Sequence, residues 1–217
     1  MNIKMNFILI ASFAGLFSCA PKGSTIECEE FNAELVVKEC ISDKTLPDGA
    51  YFGEVVAYKG KNKIEENMLS QFASMNLACL RGDYDNVCRY LYQDAAKYYR
   101  KFYPGESDDA IMRGFFSSMS DEMIQTMRNY EEHGIELSIV VSRVIRKVAQ
   151  DDNIIYVFEI VSNMISDNLQ VHTDPDQTIA VSTNGGKNWT FNAFNDDVPN
   201  ILRISYSEDV VDKVMGY

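Results

Sequence analysis

Two side chains in the second half of the chain could carry acid–base chemistry. Glu159 interrupts the apolar run Ile154–Ile165, on the same side of a predicted strand as Ile155 and Val157, and a carboxylate buried there is costly unless it is partnered. His172 lies on a neighbouring predicted strand. Both faces of the Glu159 strand are apolar, so the sequence leaves open whether Glu159 points inward or toward solvent. His172 could equally be an exposed histidine with no catalytic role. We therefore treat Glu159 and His172 as catalytic candidates only.

The rest of the sequence offers no recognisable cofactor or metal chemistry. No Ser-His-Asp arrangement accompanies the two candidates, and the one Gly-Gly pair does not lead into a predicted helix as a phosphate-binding loop would. There is no Cys-x-x-Cys pair, and both histidines are far from the cysteines in sequence. The net charge of −12 repels phosphate backbones. We therefore expect no cofactor, no metal and no nucleic acid partner.

The N-terminus has the pattern of a bacterial lipoprotein leader. Lys4 precedes the apolar run Phe7–Phe17, which is too short to span a bilayer and typical of a signal-peptide core. The run ends in Leu-Phe-Ser-Cys, with the cysteine at position 19. This resembles a lipobox, where signal peptidase II cuts before a lipidated cysteine. An ordinary secretory signal with an incidental cysteine is the alternative. We expect a signal peptide at residues 1–18 and acylation of Cys19.

Acylation of Cys19 would attach the protein to a lipid bilayer, because several acyl chains together give stable membrane attachment. No later segment reaches the apolar length of a transmembrane helix. The residues after Cys19 resemble neither an inner-membrane retention signal nor a surface-export tag. The expected location is therefore the cell envelope, on the outer membrane and facing the periplasm.

Four cysteines remain after the lipidated one: Cys28, Cys40, Cys79 and Cys88. An even number outside the cytoplasm favours disulfides. Three pairings exist, and we prefer Cys28–Cys40 with Cys79–Cys88 because the members of each pair are close in sequence. Four reduced or buried thiols are the alternative.

Hydrophobic periodicity predicts three helices in the first half of the domain. They cover Ile64–Cys79, Tyr84–Phe102 and a segment from Ser107 to Gly134. The triplet Arg-Gly-Asp at 81–83 lies between the first two. It could be an adhesion ligand, but we interpret it as a helix boundary at which the glycine ends one helix and Asp83 caps the next.

Alternating apolar residues then predict strands. The alternation from Ile135 slips in phase near Val144, which indicates a bulge. The run Ile154–Ile165 and three shorter runs, LQVHT, TIAVST and NWTFNAF, follow it, and Ser207 precedes a short final helix. Helices followed by an antiparallel meander form an α+β domain, which we assign to residues 64–217. Residues 19–63 comprise the lipidated cysteine, a tether and an ambiguous extension with a hint of a helix near Cys28.

One hairpin matches a known motif. Ser182, Asn184, Gly186 and Trp189 have the spacing of an Asp-box, the turn of sialidase-type propellers. A propeller needs repeated blades of roughly 40 residues, and this chain has one copy of the motif. The pair Asn184-Gly185 is also the strongest signal for a type I′ hairpin. We therefore predict a hairpin with a type I′ turn and no propeller.

Helices that fold over a curved meander, with GGKNWTF in the last hairpin, resemble the nuclear transport factor 2-like (cystatin-like cone) superfamily. In particular, the chain looks like lipoproteins of Bacteroidetes-type bacteria that carry such a domain, over about Ile64 to Phe194. The chain lacks the strand pair that the family usually has between its second and third helices. The resemblance implies a cone-shaped cavity, which in ketosteroid isomerases holds a general base and proton donors. Four aromatic residues could line it: Tyr98, Tyr99, Tyr156 and Trp189.

Three functions compete on these observations. We rank first a non-enzymatic envelope lipoprotein that binds a small apolar ligand or a protein partner. The second is an interaction module with a filled cone, whose sheet pairs with another chain, for example in a homodimer. The third is a cone-fold isomerase or hydrolyase that uses Glu159 or an aspartate from the helices. An open pocket with a carboxylate inside would favour the enzyme, and a filled cone would favour the interaction module.

Overall fold

The computed structural model describes residues 27–30, 37–41, 55–58, 62–80, 82–134, 136–166, 169–172 and 175–217. The signal peptide and Cys19 predicted above lie outside these ranges. The helices within them are α1 (Lys63–Leu80), α2 (Tyr84–Val87), α3 (Gln93–Tyr99), α4 (Asp108–Glu132), α5 (Val198–Leu202) and α6 (Glu208–Met215), with a 3-10 turn at Arg100–Phe102. The strands are β1 (Glu27–Glu30), β2 (Val37–Ile41), β3 (Val55–Tyr58), β4 (Glu136–Gln150), β5 (Asn153–Ser166), β6 (Leu169–His172), β7 (Asp176–Ser182) and β8 (Thr190–Ala193).

The described strands form one sheet. Its order is β2-β3-β4-β5-β7-β8, with β1 paired to β4 and β6 paired to β5. The pairs from β4 to β8 are antiparallel, whereas β3 runs parallel to β4. The segment that the sequence left ambiguous thus contributes three strands. The hint of a helix near Cys28 is wrong, because that residue pairs with Val148 in the β1–β4 ladder.

Helices cover both faces of this sheet. Successive residues of a strand point to opposite faces, and β5 has apolar residues on both. Ile154, Tyr156 and Phe158 pack in one cluster with α1. Ile155 and Val157 pack in a second cluster with α3, α4, α5 and α6. We call these faces the α1 side and the α6 side. The predicted α+β class is confirmed, with the sheet as the middle of three layers.

A bulge in β4 reverses which of its residues face each layer. Its register against β5 shifts between Val144 and Arg146. Val144 and Val148 are an even number of residues apart and would share a face in a regular strand. Val144 instead packs on the α1 side and Val148 on the α6 side, because one extra residue reverses the alternation. The bulge predicted near Val144 is confirmed.

The predicted second helix, Tyr84–Phe102, is broken into α2 and α3. Between them the chain pairs with the outer edge of β8: the amide of Phe191 donates to the carbonyl of Tyr90 at 2.6 Å, and the amide of Tyr92 donates to the carbonyl of Phe191 at 3.2 Å. Backbone groups used in this way cannot make helical hydrogen bonds, so the single helix is wrong. The contact also covers part of an edge strand that would otherwise be open to pairing.

The predicted helix boundaries at the Arg-Gly-Asp triplet and at Ser107 are confirmed. Gly82 has a φ of 65°, a conformation that glycine adopts without strain. The Asp83 carboxylate accepts the amide of Asn86 at 3.2 Å and caps α2. The Ser107 hydroxyl accepts the amide of Ala110 at 3.1 Å and caps α4. An adhesive role for the triplet is therefore not needed to explain these residues.

Two short helices complete the α6 side. α5 forms over residues whose pattern predicts no clear element. α6 begins after Ser207, as predicted, although the serine hydroxyl makes no capping hydrogen bond. α6 ends at Gly216, which has a φ of 86°. No helix in the described ranges is both long enough and apolar enough to cross a membrane.

Candidate functional site

The four aromatic residues proposed to line a cone cavity lie on opposite sides of the sheet. Tyr98 and Tyr99 belong to α3 and pack on the α6 side. Tyr156 and Trp189 pack on the α1 side, with ring centroids 5.5 Å apart. Because the sheet separates the two pairs, they do not form the wall of one shared pocket.

On the α6 side, Tyr98 and Tyr99 both donate hydrogen bonds to Asp197. Their hydroxyls lie 2.9 Å from Oδ1 and Oδ2 respectively, and Asp197 is 1% exposed. Burial, followed by the hydrogen bond to Asp197, raises the pKa of Tyr99. Sequence analysis missed Asp197. Its position two residues before Pro199 would suggest a helix cap, but Asp197 makes no capping hydrogen bond, so the sequence holds no signal for its contacts with the tyrosines.

A second buried carboxylate on the α6 side is satisfied in the same way. Asp94 is 5% exposed, accepts the Tyr92 hydroxyl at 2.9 Å and pairs with Lys97 Nζ at 2.5 Å. Burial, together with the nearby charge of Asp94, raises the pKa of Tyr206. Both buried aspartates thus hold tyrosines in place, as expected for carboxylates that are partnered when buried.

Glu159, the candidate base, forms a bidentate ion pair with Arg143 across β4 and β5. Arg143 Nε and Nη2 donate to the two carboxylate oxygens at 2.6 and 2.8 Å. The Glu159 side chain is 12% exposed, whereas that of Arg143 is 45% exposed. Glu159 is therefore mostly buried, whereas its partner Arg143 is partly exposed to solvent. Hydrogen bonding to Glu159 raises the pKa of Arg143. This carboxylate is occupied by a cation, which does not suit a general base.

His172, the other candidate, is not opposite Glu159 in the sheet. It lies on β6 opposite Asn163 of β5. The residues opposite Glu159 are Arg143 on β4 and Gln177 on β7. The backbone register therefore does not pair the two acid–base candidates, and the His172 side chain lies outside the described part of the structure.

Cys79 and Cys88 do not form the preferred disulfide. Cys79 is buried in the last turn of α1, and burial raises the pKa of its thiol to about 12. Cys88 follows α2 and is a hydrogen-bond partner of Tyr84, whose pKa is raised first by burial and then by that bond. The two thiols thus have separate environments, and the Cys79–Cys88 pairing is wrong.

The backbone register also separates Cys28 from Cys40. Cys28 is opposite Val148 of β4, whereas Cys40 is opposite Val56 of β3, which is itself opposite Val140, eight residues before Val148. At about 3.3 Å per residue this exceeds the reach of a disulfide, so this pairing is wrong as well.

The β7–β8 hairpin is confirmed, but it has no type I′ turn centred on Asn184-Gly185. Val181 pairs with Thr190, so the connection is a longer loop. Among the described residues, positive φ angles in this loop belong to Gly185 (68°) and Gly186 (82°) and not to Asn184. A type I′ turn at Asn184-Gly185 requires a positive φ at both residues, and this prediction is wrong.

Side chains of the Asp-box-like residues organise the loop instead. The amide of Gly186 donates to Ser182 Oγ at 2.9 Å, and the amide of Asn188 donates to Asn184 Oδ1 at 3.0 Å. Trp189 Nε1 donates to the carbonyl of Gly186 at 3.1 Å. The four residues at Asp-box spacing therefore all serve the internal structure of the loop.

The same loop is fixed to α1. Asn67 Nδ2 donates to the carbonyl of Gly186 at 2.7 Å, and the amide of Trp189 donates to Gln71 Oε1 at 3.0 Å. A Cβ on Gly186 would lie only 2.7 Å from Ile64 Cγ2. This close approach explains why a glycine is needed here, and it makes the hairpin a structural joint between the sheet and α1.

An external cleft lies between α1 and α2. Its volume is about 210 Å³, and its lining residues are Ser74, Leu77, Ala78, Asp83, Asn86 and Tyr90. Pockets for small-molecule ligands usually measure about 300–1,000 Å³, so this cleft has room for one side chain rather than a whole ligand. Within the described ranges, no group of three or more His, Cys, Asp or Glu residues could hold a metal ion.

Comparison of the chain with protein-family models, curated proteins and solved structures finds no match. The α+β arrangement is compatible with the cone fold that the resemblance implies. Fold class alone does not identify a function, so the function has to be inferred from the residues of this chain.

Proposed function

We propose that this protein is a lipoprotein of the bacterial cell envelope whose α+β domain binds a protein partner. Acylated Cys19 anchors it to the outer membrane, and the domain faces the periplasm. The Leu-Phe-Ser-Cys sequence after an apolar run supports the anchor. The order of helices and strands supports the further proposal that the domain is a member of the nuclear transport factor 2-like superfamily.

The observation that favours a protein partner over a small apolar ligand is the packing of the sheet on both faces. On the α1 side, Trp189, Tyr156 and Phe158 are each 0–1% exposed. On the α6 side, Ile155 and Ile179 are similarly buried. A cone that holds a ligand needs an open space between sheet and helices, and large side chains occupy that position over the part of the sheet whose side chains the structure describes. Recognition then takes place on the outer surface.

The alternative, a cone-fold isomerase or hydrolyase, needs a carboxylate that can accept a proton from a substrate. Glu159 is the carboxylate that the sequence suggested, and both of its oxygens accept hydrogen bonds from Arg143. Such a bidentate pair occupies both oxygens of the carboxylate and restricts access to it. No contact in the described part of the structure favours the enzyme.

Metabolic labelling with an alkyne analogue of palmitate tests the anchor. The full-length chain should incorporate the label and fractionate with membranes. The Cys19→Ser variant should lose the label and leave the membrane fraction. Retention of label in Cys19→Ser would contradict acylation at this position.

Photo-crosslinking in the cells that naturally produce the protein tests the partner. A photoreactive residue placed at an exposed position such as Ser74 or Asn86 should give a discrete adduct with one protein. The same residue at the buried position of Val211 should give only an intramolecular product. A smear or the absence of any adduct at several exposed positions would contradict the proposal.

A further inference from the structure

Two consecutive aromatic residues are exposed in the turn between α3 and α4. Every residue from 100 to 107 is exposed, and Phe102 and Tyr103 are each 45% exposed. Single exposed apolar residues are common on protein surfaces, but two adjacent large rings on an exposed turn form a patch, and such patches mark contact surfaces. We call Phe102 and Tyr103 the aromatic tip.

The aromatic tip rests on rings that belong to the core of the α6 side. The ring centroid of Phe102 is 6.0 Å from that of Tyr98, and the ring centroid of Tyr103 is 6.0 Å from that of Phe115. Tyr99 joins the two supports, because its ring centroid is 5.1 Å from that of Phe115. A tip that is already held in place loses little conformational entropy when it binds.

The backbone of the turn is hydrogen-bonded within itself. The amide of Tyr103 donates to the carbonyl of Arg100 at 3.1 Å, and the amide of Glu106 donates to the carbonyl of Tyr103 at 3.2 Å. Polar groups that are paired in this way cost less free energy when they leave water. The turn can therefore enter a less polar environment without unfolding.

The charges around the tip nearly cancel, although the whole chain carries −12. Arg100 Nε donates to Asp108 Oδ1 at 2.8 Å. Lys101 Nζ lies 4.8 Å from the ring centroid of Phe102, and its positive charge offsets that of Glu106. The tip can therefore approach lipid headgroups without the repulsion that a strongly acidic surface would meet.

The proposed anchor keeps a bilayer close to this tip. Glu27, where β1 begins, is eight residues after Cys19, so at most about 29 Å of chain joins them. Cys28 pairs with Val148 of β4, which belongs to the same buried cluster as Tyr99 beneath the tip. A surface tethered at such a short distance is present at high effective concentration.

We propose that the aromatic tip inserts into the headgroup region of the bilayer that holds acylated Cys19, and that this contact orients the domain on the membrane. The inference rests on the lipid anchor of the proposed function. Aromatic rings favour the interfacial region of a bilayer, where one end of the ring is apolar and the other is wet. A protein partner is the other possible occupant, and the lipid is favoured because the anchor places it within reach.

Quenching of tryptophan fluorescence by brominated lipid tests the inference. The full-length acylated chain with Tyr103→Trp is reconstituted into phosphatidylcholine vesicles, with or without bromine on carbons 6 and 7 of the acyl chains. Trp189 is 1% exposed and supplies a constant background. Bromine should remove at least about half of the fluorescence that the substitution adds, because an inserted ring lies near the upper acyl chain. Phe102→Trp is a second variant with the same expectation.

The matched control is Ser74→Trp. Ser74 is exposed on α1, which packs on the opposite face of the sheet from the rings beneath the tip. The fluorescence added there should fall by less than about a tenth in brominated vesicles, and aqueous acrylamide should quench it. Unchanged circular dichroism verifies that each variant is folded, and flotation with the vesicles verifies that it is anchored.

Two results would overturn the inference and leave the anchor intact: no quenching at either tip position in a protein that floats with the vesicles, or equal quenching at the tip and at Ser74. A photoreactive residue in place of Tyr103 that gives a discrete protein adduct in cells, without quenching by lipid, would show that the tip binds the protein partner instead. A wild-type chain that neither floats nor incorporates the palmitate label would contradict the anchor in the proposed function, and the inference with it.

Discussion

Asp197 shows how a single buried charge can organise one side of this molecule. It lies just before α5 and accepts hydrogen bonds from two consecutive tyrosines of α3. Its carboxylate is 1% exposed, so its desolvation has to be offset by these contacts. The three residues together join α3 to α5 on the α6 side.

Asp197→Ala should therefore lower the free energy of unfolding by roughly 2–4 kcal/mol, because two buried phenols lose this acceptor. The matched control is Asp196→Ala, which changes the exposed neighbour and should cost less than about 0.5 kcal/mol. Urea unfolding followed by circular dichroism measures both. Similar losses for the two variants would show that the Asp197 contacts do not stabilise the fold.

Cys79 should make stability depend on alkaline pH. Burial raises the pKa of its thiol from the usual 9.0 to about 12, so the folded state holds this proton more tightly than the unfolded state. The resulting stability is fully present below about pH 9 and is lost as pH rises toward 12, at about 1.4 kcal/mol per pH unit.

Cys79→Ala removes this contribution. Its free energy of unfolding should fall less steeply between pH 9 and pH 11 than that of the wild type, by about one proton in the slope. Urea unfolding at several pH values, under reducing conditions, gives both slopes. The substitution also leaves a cavity, which lowers the free energy of unfolding by the same amount at every pH. Only the change in slope with pH therefore reports the titration of the thiol. Identical slopes would mean that the thiol titrates normally in the folded state.

Among the structural elements, the β7–β8 loop connects the sheet to α1, and substitutions in this loop should strongly lower the free energy of unfolding. Gly185 and Gly186 both have positive φ, but they differ in surroundings. A Cβ on Gly185 would meet Asp152 Oδ1 at an ordinary 3.6 Å, whereas one on Gly186 would meet Ile64 Cγ2 at 2.7 Å.

Gly185→Ala should cost about 1–2 kcal/mol from backbone strain alone, and Gly186→Ala should cost at least about 1 kcal/mol more because the contact with Ile64 must open. Thermal and urea unfolding of both variants provide the comparison. Adding Ile64→Ala should recover part of the difference in Gly186→Ala and none in Gly185→Ala. Equal destabilisation by the two substitutions would contradict the close packing of this loop on α1.

The elements that the sequence predicted correctly depend on local pattern, and those it missed depend on distant contacts. α1, α4 and the long strands follow from periodicity within each segment. The break between α2 and α3 depends on Phe191, about a hundred residues away in sequence, whose backbone pairs with Tyr90 and Tyr92. The turn at Asn184 was mispredicted because the side chains of Ser182 and Asn184 accept hydrogen bonds from loop amides, which override the usual two-residue turn.

Much less of the candidate site could be predicted. The sequence identified Tyr98 and Tyr99 but assigned them to the same cavity as Tyr156, because it could not show that helices cover both faces. Asp197 and Asp94 could not be recognised, since their roles depend on how α3 meets the rest of the α6 side. The partner of Glu159 was equally hidden, because it depends on the register of β4 across a bulge.

For the whole molecule, the sheet separates two packed layers. A substitution in one layer should therefore not change the effect that a substitution in the other layer has on the free energy of unfolding. Phe72 packs on the α1 side, with its ring 5.0 Å from that of Phe158. Ile201 packs on the α6 side. Substitutions on opposite faces share no contacts, so their effects should add.

Phe72→Leu combined with Ile201→Val should destabilise the protein by the sum of the single effects, within about 0.5 kcal/mol. Phe72→Leu combined with Phe158→Leu should deviate from the sum by more than that, since these rings are in contact. Urea unfolding of the singles and doubles gives both coupling energies. A large coupling between Phe72 and Ile201 would contradict the separation of the two layers.

Among the side chains that the structure describes, the sheet is filled on both faces, and the proposed function places recognition at the outer surface. Native mass spectrometry of the full-length protein, extracted from its own membranes and released from detergent in the gas phase, tests this most directly. If the proposed function is correct, the spectrum should show the mass of the acylated chain, with or without a bound protein, and with no small molecule retained. A stoichiometric adduct of a few hundred daltons that survives removal of detergent and lipid would show that the domain holds an apolar ligand, and it would contradict the account.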